Sequence, residues 1–263
     1  MGVSSLRRGL ALLLVLLALP VVAGAETLRV GVTGGPHAAI LEQVAALAAR
    51  EGLTIKVVEF DDYQLPNAAL AQGDLDANSF QHQPFLDEQI RAHGYPLAVI
   101  GRTVVFPIGL YSKRIRSLDA LGRGDKVAIP ADPTNGGRVL LLLEAQGLIR
   151  LRPGVGIAAT PFDVIDNPRG LKLVELPAAQ LPRALDDVAV AAINSNYALE
   201  VGLVPHRDAL VLESADSPYA NVIAVRAAER DRPALAQLVR FYHAPEIRRF
   251  ITEHYGASVV PAW

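Results

Sequence analysis

LAVIGRTVVFPIGLY, Leu97 to Tyr111, is the stretch that decides the fold. It is apolar and rich in β-branched residues, yet Pro107 interrupts it, and proline has no N–H to give to a sheet ladder. Strands in compact sheets run about 5–6 residues, so a single strand of this length would be unusual. The stretch therefore reads as a segment crossing from one lobe of the molecule to another.

On its N-terminal side, short β-runs alternate with amphipathic helical runs. Leu28 to Val32 reads as a strand, stopped by Thr33-Gly34-Gly35-Pro36. Ile40, Leu41, Val44, Leu47 and Ala48 then recur at helical spacing, and Gly52 follows as a stop. Leu53 to Phe60 is a second strand, a helix centred on Ala68 to Gln72 follows Pro66, Leu75 to Phe80 is a third strand, and Pro84 to Arg91 a third helix. Strand–helix–strand units in series predict a mainly parallel sheet with helices on both faces. On the C-terminal side the pattern begins again. Lys126 to Pro130, Leu171 to Leu176 and Val188 to Asn194 read as strands, with helices at Asn135 to Gln146 and Gln180 to Asp186. Leu210 to Glu213, with Asn221 to Val225, forms a second extended passage that returns the chain. Helices at Pro233 to Tyr242 and Pro245 to His254 finish it. The predicted class is α/β: two lobes, each a mixed or parallel sheet flanked by helices, joined by two crossing segments. Residues 26–107 form the first part of lobe 1 and 108–213 form lobe 2. Residues 214–263 are the return crossing and the rest of lobe 1.

Residues 1–25 are set aside. Arg7 and Arg8 make a positive start, Leu10 to Leu19 an apolar run, Pro20 a break, and Ala23-Gly24-Ala25 supplies small residues at the positions a signal peptidase reads. That is the pattern of a secretory signal peptide, with cleavage expected after Ala25. The apolar stretch falls short of the roughly 20 residues that span a bilayer.

The 263 residues contain no cysteine, which excludes a disulfide framework, a thiolate nucleophile, a Cys-ligated zinc site and an iron–sulfur cluster. Net charge is −2 with both signs interspersed, unlike the basic stripe of a nucleic-acid binder. A small-molecule or protein partner stays open.

Two lobes on two crossings form a cleft that can close by hinge motion, and ligands of open α/β sheets sit beyond the carboxyl ends of the strands. The polar loops there are Asp61-Asp62-Tyr63, Asn78-Ser79-Phe80-Gln81-His82, Pro133-Thr134-Asn135-Gly136-Gly137-Arg138 and Asn194-Ser195-Asn196-Tyr197, with Pro218-Tyr219-Ala220-Asn221 on the return crossing. An amino-acid zwitterion suits such a set. A guanidinium fork and free N–H groups at a helix start serve a carboxylate, and Thr134 to Arg138 offers both, with Arg138 in the first helical turn. Asn side chains supply carbonyl acceptors to an ammonium. Tyr63 and Phe80 supply aromatic faces for an apolar or thioether side chain. Taken singly, each residue has a commoner use: Arg138 as a solvated surface charge, Tyr63 and Phe80 as core aromatics, Asn194, Asn196 and Asn221 as turn residues, His82 as a structural hydrogen-bonder. Pattern and spacing leave a two-lobed binding protein with its ligand open.

Longer stretches narrow this. Val30-Gly31-Val32-Thr33 with Gly35-Pro36-His37, Leu75-Asp76-Ala77-Asn78 with Phe80-Gln81-His82, and Gly109-Leu110-Tyr111-Ser112 occur in order. Asp132 to Arg138, Ala178 to Asp187, Asn194 with Asn196-Tyr197-Ala198, Asp216 to Asn221 and Val259-Val260-Pro261-Ala262-Trp263 follow. Across essentially the whole chain beyond the leader, they resemble the methionine-binding components of bacterial methionine ABC importers, the MetQ/NlpA-type family. The resemblance implies a two-lobed periplasmic-binding-protein fold of type II-like architecture that captures methionine and passes it to a membrane ABC transporter. The expectations beside it are no cofactor, no metal, no nucleic-acid partner and a monomer. Tyr63 and Phe80 would flank the methionine side chain, with His82 on the same wall. Arg138 would hold the carboxylate, Asn194 and Asn221 the backbone groups, and Asn196 would stand beside them. Many members are lipoproteins anchored through a cysteine after the signal peptide. Its absence here gives the expectation of a freely diffusing periplasmic protein, not lipid-anchored.

Three rivals stand beside this reading. The same fold could take another small amino acid or a methionyl dipeptide, since one methylene is worth only about 1–3 kcal/mol of discrimination. An exported enzyme would need an activated nucleophile, and the chain has neither a G-x-S-x-G elbow nor an H-E-x-x-H helix. Metal capture would require His37, His82 and His93 to converge.

Overall fold

The structure, a computed structural model, describes residues 26–263; the signal peptide expected over residues 1–25 lies outside the described residues. The first half runs β1 (Thr27–Thr33), α1 (Pro36–Ala49), β2 (Thr54–Phe60), α2 (Pro66–Gln72), β3 (Ala77–His82), α3 (Gln83–His93) and β4 (Leu97–Val105). The second runs β5 (Ile108–Tyr111), β6 (Lys126–Pro130), α4 (Pro133–Ala145), β7 (Arg150–Leu151), β8 (Val164–Asp166), β9 (Lys172–Leu176), α5 (Leu181–Ala184), β10 (Val190–Asn194), α6 (Ser195–Glu200), α7 (Pro205–Asp208) and β11 (Val211–Leu212). The chain then returns through β12 (Ala220–Arg226), α8 (Pro233–Tyr242), α9 (Pro245–Tyr255) and β13 (Val260–Pro261).

Leu97 to Tyr111 is thus two strands in two sheets, broken at Phe106-Pro107. One sheet has the order β13-β4-β12-β3-β1-β2 and the other β11-β5-β10-β6-β9. Both follow one plan. A parallel core (β2-β1-β3 in one, β9-β6-β10 in the other) is flanked by a strand that has just arrived from the other half and runs antiparallel: β12 beside β3, β5 beside β10. This is the two-sheet, two-crossing α/β architecture that the sequence predicts.

Each sheet buries its own apolar set. Leu28, Val30 and Val32 of β1 pack with Ile40, Leu41 and Val44 of α1 and with Leu235, Leu238 and Phe241 of α8. Val127 and Ile129 of β6 pack with Val139, Leu140 and Leu143 of α4. A third cluster joins the halves, with Tyr63, Phe80 and Phe85 from the first meeting Tyr111, Ile193 and Tyr197 from the second.

Several short features were not legible as elements, α7 and β13 among them. Asn194 to Tyr197 reads as a polar loop, but only Asn194 precedes a helix; Ser195 begins α6, which is too short to display a period. The β7–β8 hairpin, two and three residues a side, leaves no alternation to detect either. Among the described residues, no helix is long and apolar enough to cross a membrane.

Candidate functional site

The carboxyl ends of the two parallel cores face one another across the seam. From the first sheet, the chain beyond β2 carries Tyr63, and the end of β3 carries Phe80 and His82. From the second, β6 leads through Asp132 into α4 with Asn135 and Arg138, and β10 ends at Asn194, one residue before α6 with Asn196. Asn221, near the start of β12, lies opposite His82 in the ladder. Tyr63, Phe80, His82, Arg138, Asn194, Asn196 and Asn221 all line one cavity. A second cavity of about 840 Å³ shares Tyr63 and Phe85 with it and opens along Asp62, Asp132 and Thr134.

The aromatic side of the cavity is a corner. Tyr63 lies 5.9 Å from Phe80 and 5.9 Å from Phe85, ring centre to ring centre, and 5.1 Å from Tyr197. An atom held between two ring faces needs about 3.5–4 Å to each. Tyr63 and Phe80 therefore adjoin as neighbouring walls instead of facing across a slot, and Phe85 completes the corner. The Tyr63 hydroxyl donates to Asn196 Oδ1 at 2.7 Å, a bond between the halves. Burial raises the Tyr63 pKa, keeping this donor protonated.

The polar side is a chain of fixed groups. Asp132 caps α4, accepting the Asn135 N–H at 2.9 Å. Its carboxylate also accepts from Asn135 Nδ2, at 3.0 and 3.1 Å to its two oxygens. Asn135 Oδ1 in turn lies 3.2 Å from His82 Nε2 and accepts from Asn194 Nδ2 at 2.9 Å. The Phe85 N–H donates to His82 Nδ1 at 3.1 Å, so the ring proton of neutral His82 sits on Nε2. Burial first, and the Arg138 charge second, lower the His82 pKa to about 3, which keeps it neutral.

Arg138 differs from its expected geometry. α4 begins at Pro133, so Arg138 lies in the second turn, and the helix-start N–H of Asn135 is already capped by Asp132. The guanidinium fork is occupied too. Nε donates to Glu213 Oε1 at 2.9 Å, and Nη2 donates to Glu213 Oε2 and, at 2.8 Å, to Phe106 O. Its plane lies over Tyr219, 4.2 Å from the ring centre. Arg138 thereby ties both crossings, Phe106 on the outgoing one and Glu213 and Tyr219 on the return. Nη1 donates to no described residue.

Among the described residues, Asn194 Oδ1, Asn196 Nδ2 and His37 Nδ1 are buried without a hydrogen-bond partner. Groups of that kind are costly unless something else bonds them. His37 was missed as a lining residue, as were Gln81, Phe85, Phe106 and Asn135. His37 follows the carboxyl end of β1, the rule that located the others. Its ring lies 4.4 Å from Phe106, and burial lowers its pKa to about 3. His93 is not part of this site: it stacks on Tyr95 at 5.1 Å. No cluster of three or more His, Cys, Asp or Glu able to hold a metal occurs among the described residues.

Residues 28–263 match the family model described as NlpA lipoprotein. The D-methionine-binding lipoprotein MetQ of Salmonella typhimurium is 46% identical over 240 residues, covering 90% of this chain and 88% of that protein. A nutrient binding protein from Burkholderia cenocepacia, solved bound to methionine, superposes with a TM-score of 0.88 at 50% identity, over 90% of this chain and 100% of that one. An ABC transporter periplasmic substrate-binding protein from Coxiella burnetii gives 0.87 at 48% identity, over 89% and 100%. These names correct one expectation. The missing cysteine gives the expectation of a freely diffusing, unanchored protein, but the family and the Salmonella relative are lipoproteins by name, which contradicts it. The missing thiol speaks only to one chemistry of attachment, and residues 1–25 lie outside the described residues.

Proposed function

The chain belongs to the NlpA lipoprotein family, and from that premise we propose that it is an extracytoplasmic substrate-binding protein, which captures methionine and delivers it to an ABC importer. The observation that carries this reading is the set of unpartnered polar groups around a closed aromatic corner. A donor on Arg138 Nη1 and another on Asn196 Nδ2 suit a carboxylate. An acceptor on Asn194 Oδ1 suits an ammonium. The corner of Tyr63, Phe80 and Phe85 suits a thioether, whose sulfur gains a little from aromatic contact. His82 lines the cavity and holds Asn135, and Asn221 stands opposite it.

In this reading residues 26–107 and 214–263 move as one lobe and 108–213 as the other, hinging at Phe106-Pro107 and at the return crossing. Closure forms the Tyr63–Asn196 and His82–Asn135 bonds, and the closed monomer docks on the transporter. The reading assigns no catalytic step and no cofactor.

The test is calorimetric titration of protein unfolded, freed of carried-over ligand and refolded. L-methionine would be compared with D-methionine, other apolar amino acids and a methionyl dipeptide. Saturable binding strongest for methionine is the expected result. Binding of another solute in its place would keep the receptor and replace the substrate, and silence from folded protein across the panel would remove both.

A further inference from the structure

We propose that Asp132, which need not touch the ligand, is a positioning residue that makes the pocket read a protonated amine, by fixing the direction of the amide chain Asp132–Asn135–Asn194. The inference rests on the methionine reading above and deepens it.

The two ends of an Asn side chain are nearly identical in shape, so partners alone decide whether it presents an oxygen or an NH₂. An ionised carboxylate can only accept. Asp132 takes the Nδ2 of Asn135 on both oxygens, at 3.0 and 3.1 Å. Asn135 must therefore turn its Oδ1 the other way, toward Asn194. Asn194 must answer with its own Nδ2, at 2.9 Å. What remains of Asn194 is Oδ1, buried and without a partner among the described residues, in the wall of the cavity. Each amide inverts the role of the one before. A group that can only accept at Asp132 thus becomes an acceptor in the pocket, matched to an ammonium that can only donate.

His82 pulls the same way. The Phe85 N–H holds its Nδ1 as an acceptor, so Nε2–H donates to Asn135 Oδ1. That bond is neutral, single and 3.2 Å long, whereas Asp132 offers a charge and two oxygens, and charge-assisted bonds are the stronger ones. Asp132 is therefore the main determinant, with His82 leaving a residual bias if it is changed. Asp132 also caps α4, so a test must separate the cap from the chain.

Asp132→Asn does so, because asparagine caps helices as well as aspartate does, yet it removes the charge and puts an NH₂ donor where Oδ2 accepts from Asn135 Nδ2 at 3.1 Å, which weakens its hold on the direction of Asn135. Asp132→Ser is a second good cap of different shape. Asn135→Ala leaves the charge of Asp132 in place and cuts the chain. The probes are L-methionine and its 2-hydroxy analogue, titrated into each folded variant. A hydroxyl both donates and accepts, so it follows Asn194 in either orientation; an ammonium cannot. The expected result is that each variant weakens methionine by about tenfold or more, the scale of one hydrogen bond to a charged group. The hydroxy analogue should change by less than about threefold in the two Asp132 variants, a fraction of such a bond. Parallel loss of both ligands in the Asp132 variants would make Asp132 merely structural and overturn the proposal. So would unchanged methionine binding, and so would an Asn135→Ala variant that retains the wild-type preference. Absence of methionine binding by the wild-type protein would instead strike the functional reading itself.

Discussion

In the proposed reading, Arg138 is the residue at which recognition and stability meet. Its side chain is almost wholly buried, and Glu213, its partner, is only slightly exposed. Removing one member of such a pair leaves the other uncompensated, at a cost of about 3–5 kcal/mol. Arg138→Ala should therefore lose methionine binding and also about 3 kcal/mol of stability in urea unfolding, as expected for breaking a buried pair. Arg138→Met with Glu213→Leu should regain most of the stability and none of the binding; recovery of both would remove Arg138 from the site. The sequence singled out Arg138 because its residue type and its place near a helix start suit a carboxylate. It could not reveal that Glu213, 75 positions away, takes the fork, because a pairing across two crossings leaves no trace in a local window. Tyr63 and Phe80 show the same limit: their neighbourhood was legible, but the 5.9 Å between rings that makes a corner of them was not.

At the scale of elements, α4 carries the second half's share of the site. Asp132 at its cap and Pro133 at its first position are strong start signals, yet apolar periodicity alone put the start two residues late. The pair Gly136-Gly137 has a packing cause. A Cβ at Gly137 would lie 2.5 Å from Ile157 O and 2.9 Å from Ala159 O, both backbone atoms that cannot rotate aside. Gly137→Ala should cost about 1–3 kcal/mol, as overpacking does, and lower the melting temperature by several degrees. A melt indistinguishable from wild type would show that this contact has room to relax. The long helices and the parallel strands were legible because proline opens the former and β-branched runs mark the latter. α8 has the bounds predicted from sequence, while α6 and the β7–β8 hairpin were too short for any period.

For the whole molecule, two buried histidines set a dependence on pH. His37 and His82 are held near pKa 3 against an ordinary 6.5. Above pH 6.5 neither state binds a proton and nothing is lost. Between about 6.5 and 3 the unfolded chain protonates each ring while the folded protein does not. The unfolding free energy should therefore fall with falling pH, by about 1.4 kcal/mol per pH unit per histidine. Urea unfolding at pH 7.5, 6 and 5 checks this, and His37→Gln should flatten the slope; a level profile across that range would contradict the burial of both rings. The two-lobed plan was legible from one interrupted apolar stretch, because Pro107 cannot sit within a ladder. That the relatives are lipoproteins by name was not, since composition reports which attachment a chain lacks and not where a family works. The central claim, that the seam between the sheets holds methionine by its zwitterion and its thioether, has a direct test. The chain contains a single methionine, Met1, outside the described residues, so selenium supplied as L-selenomethionine to crystals of the ligand-free protein would mark the ligand alone. The account predicts one strong anomalous peak in the corner of Tyr63, Phe80 and Phe85, with the ligand's carboxylate toward Arg138 and its ammonium at Asn194. A peak elsewhere, or an empty corner at saturating ligand, would contradict it.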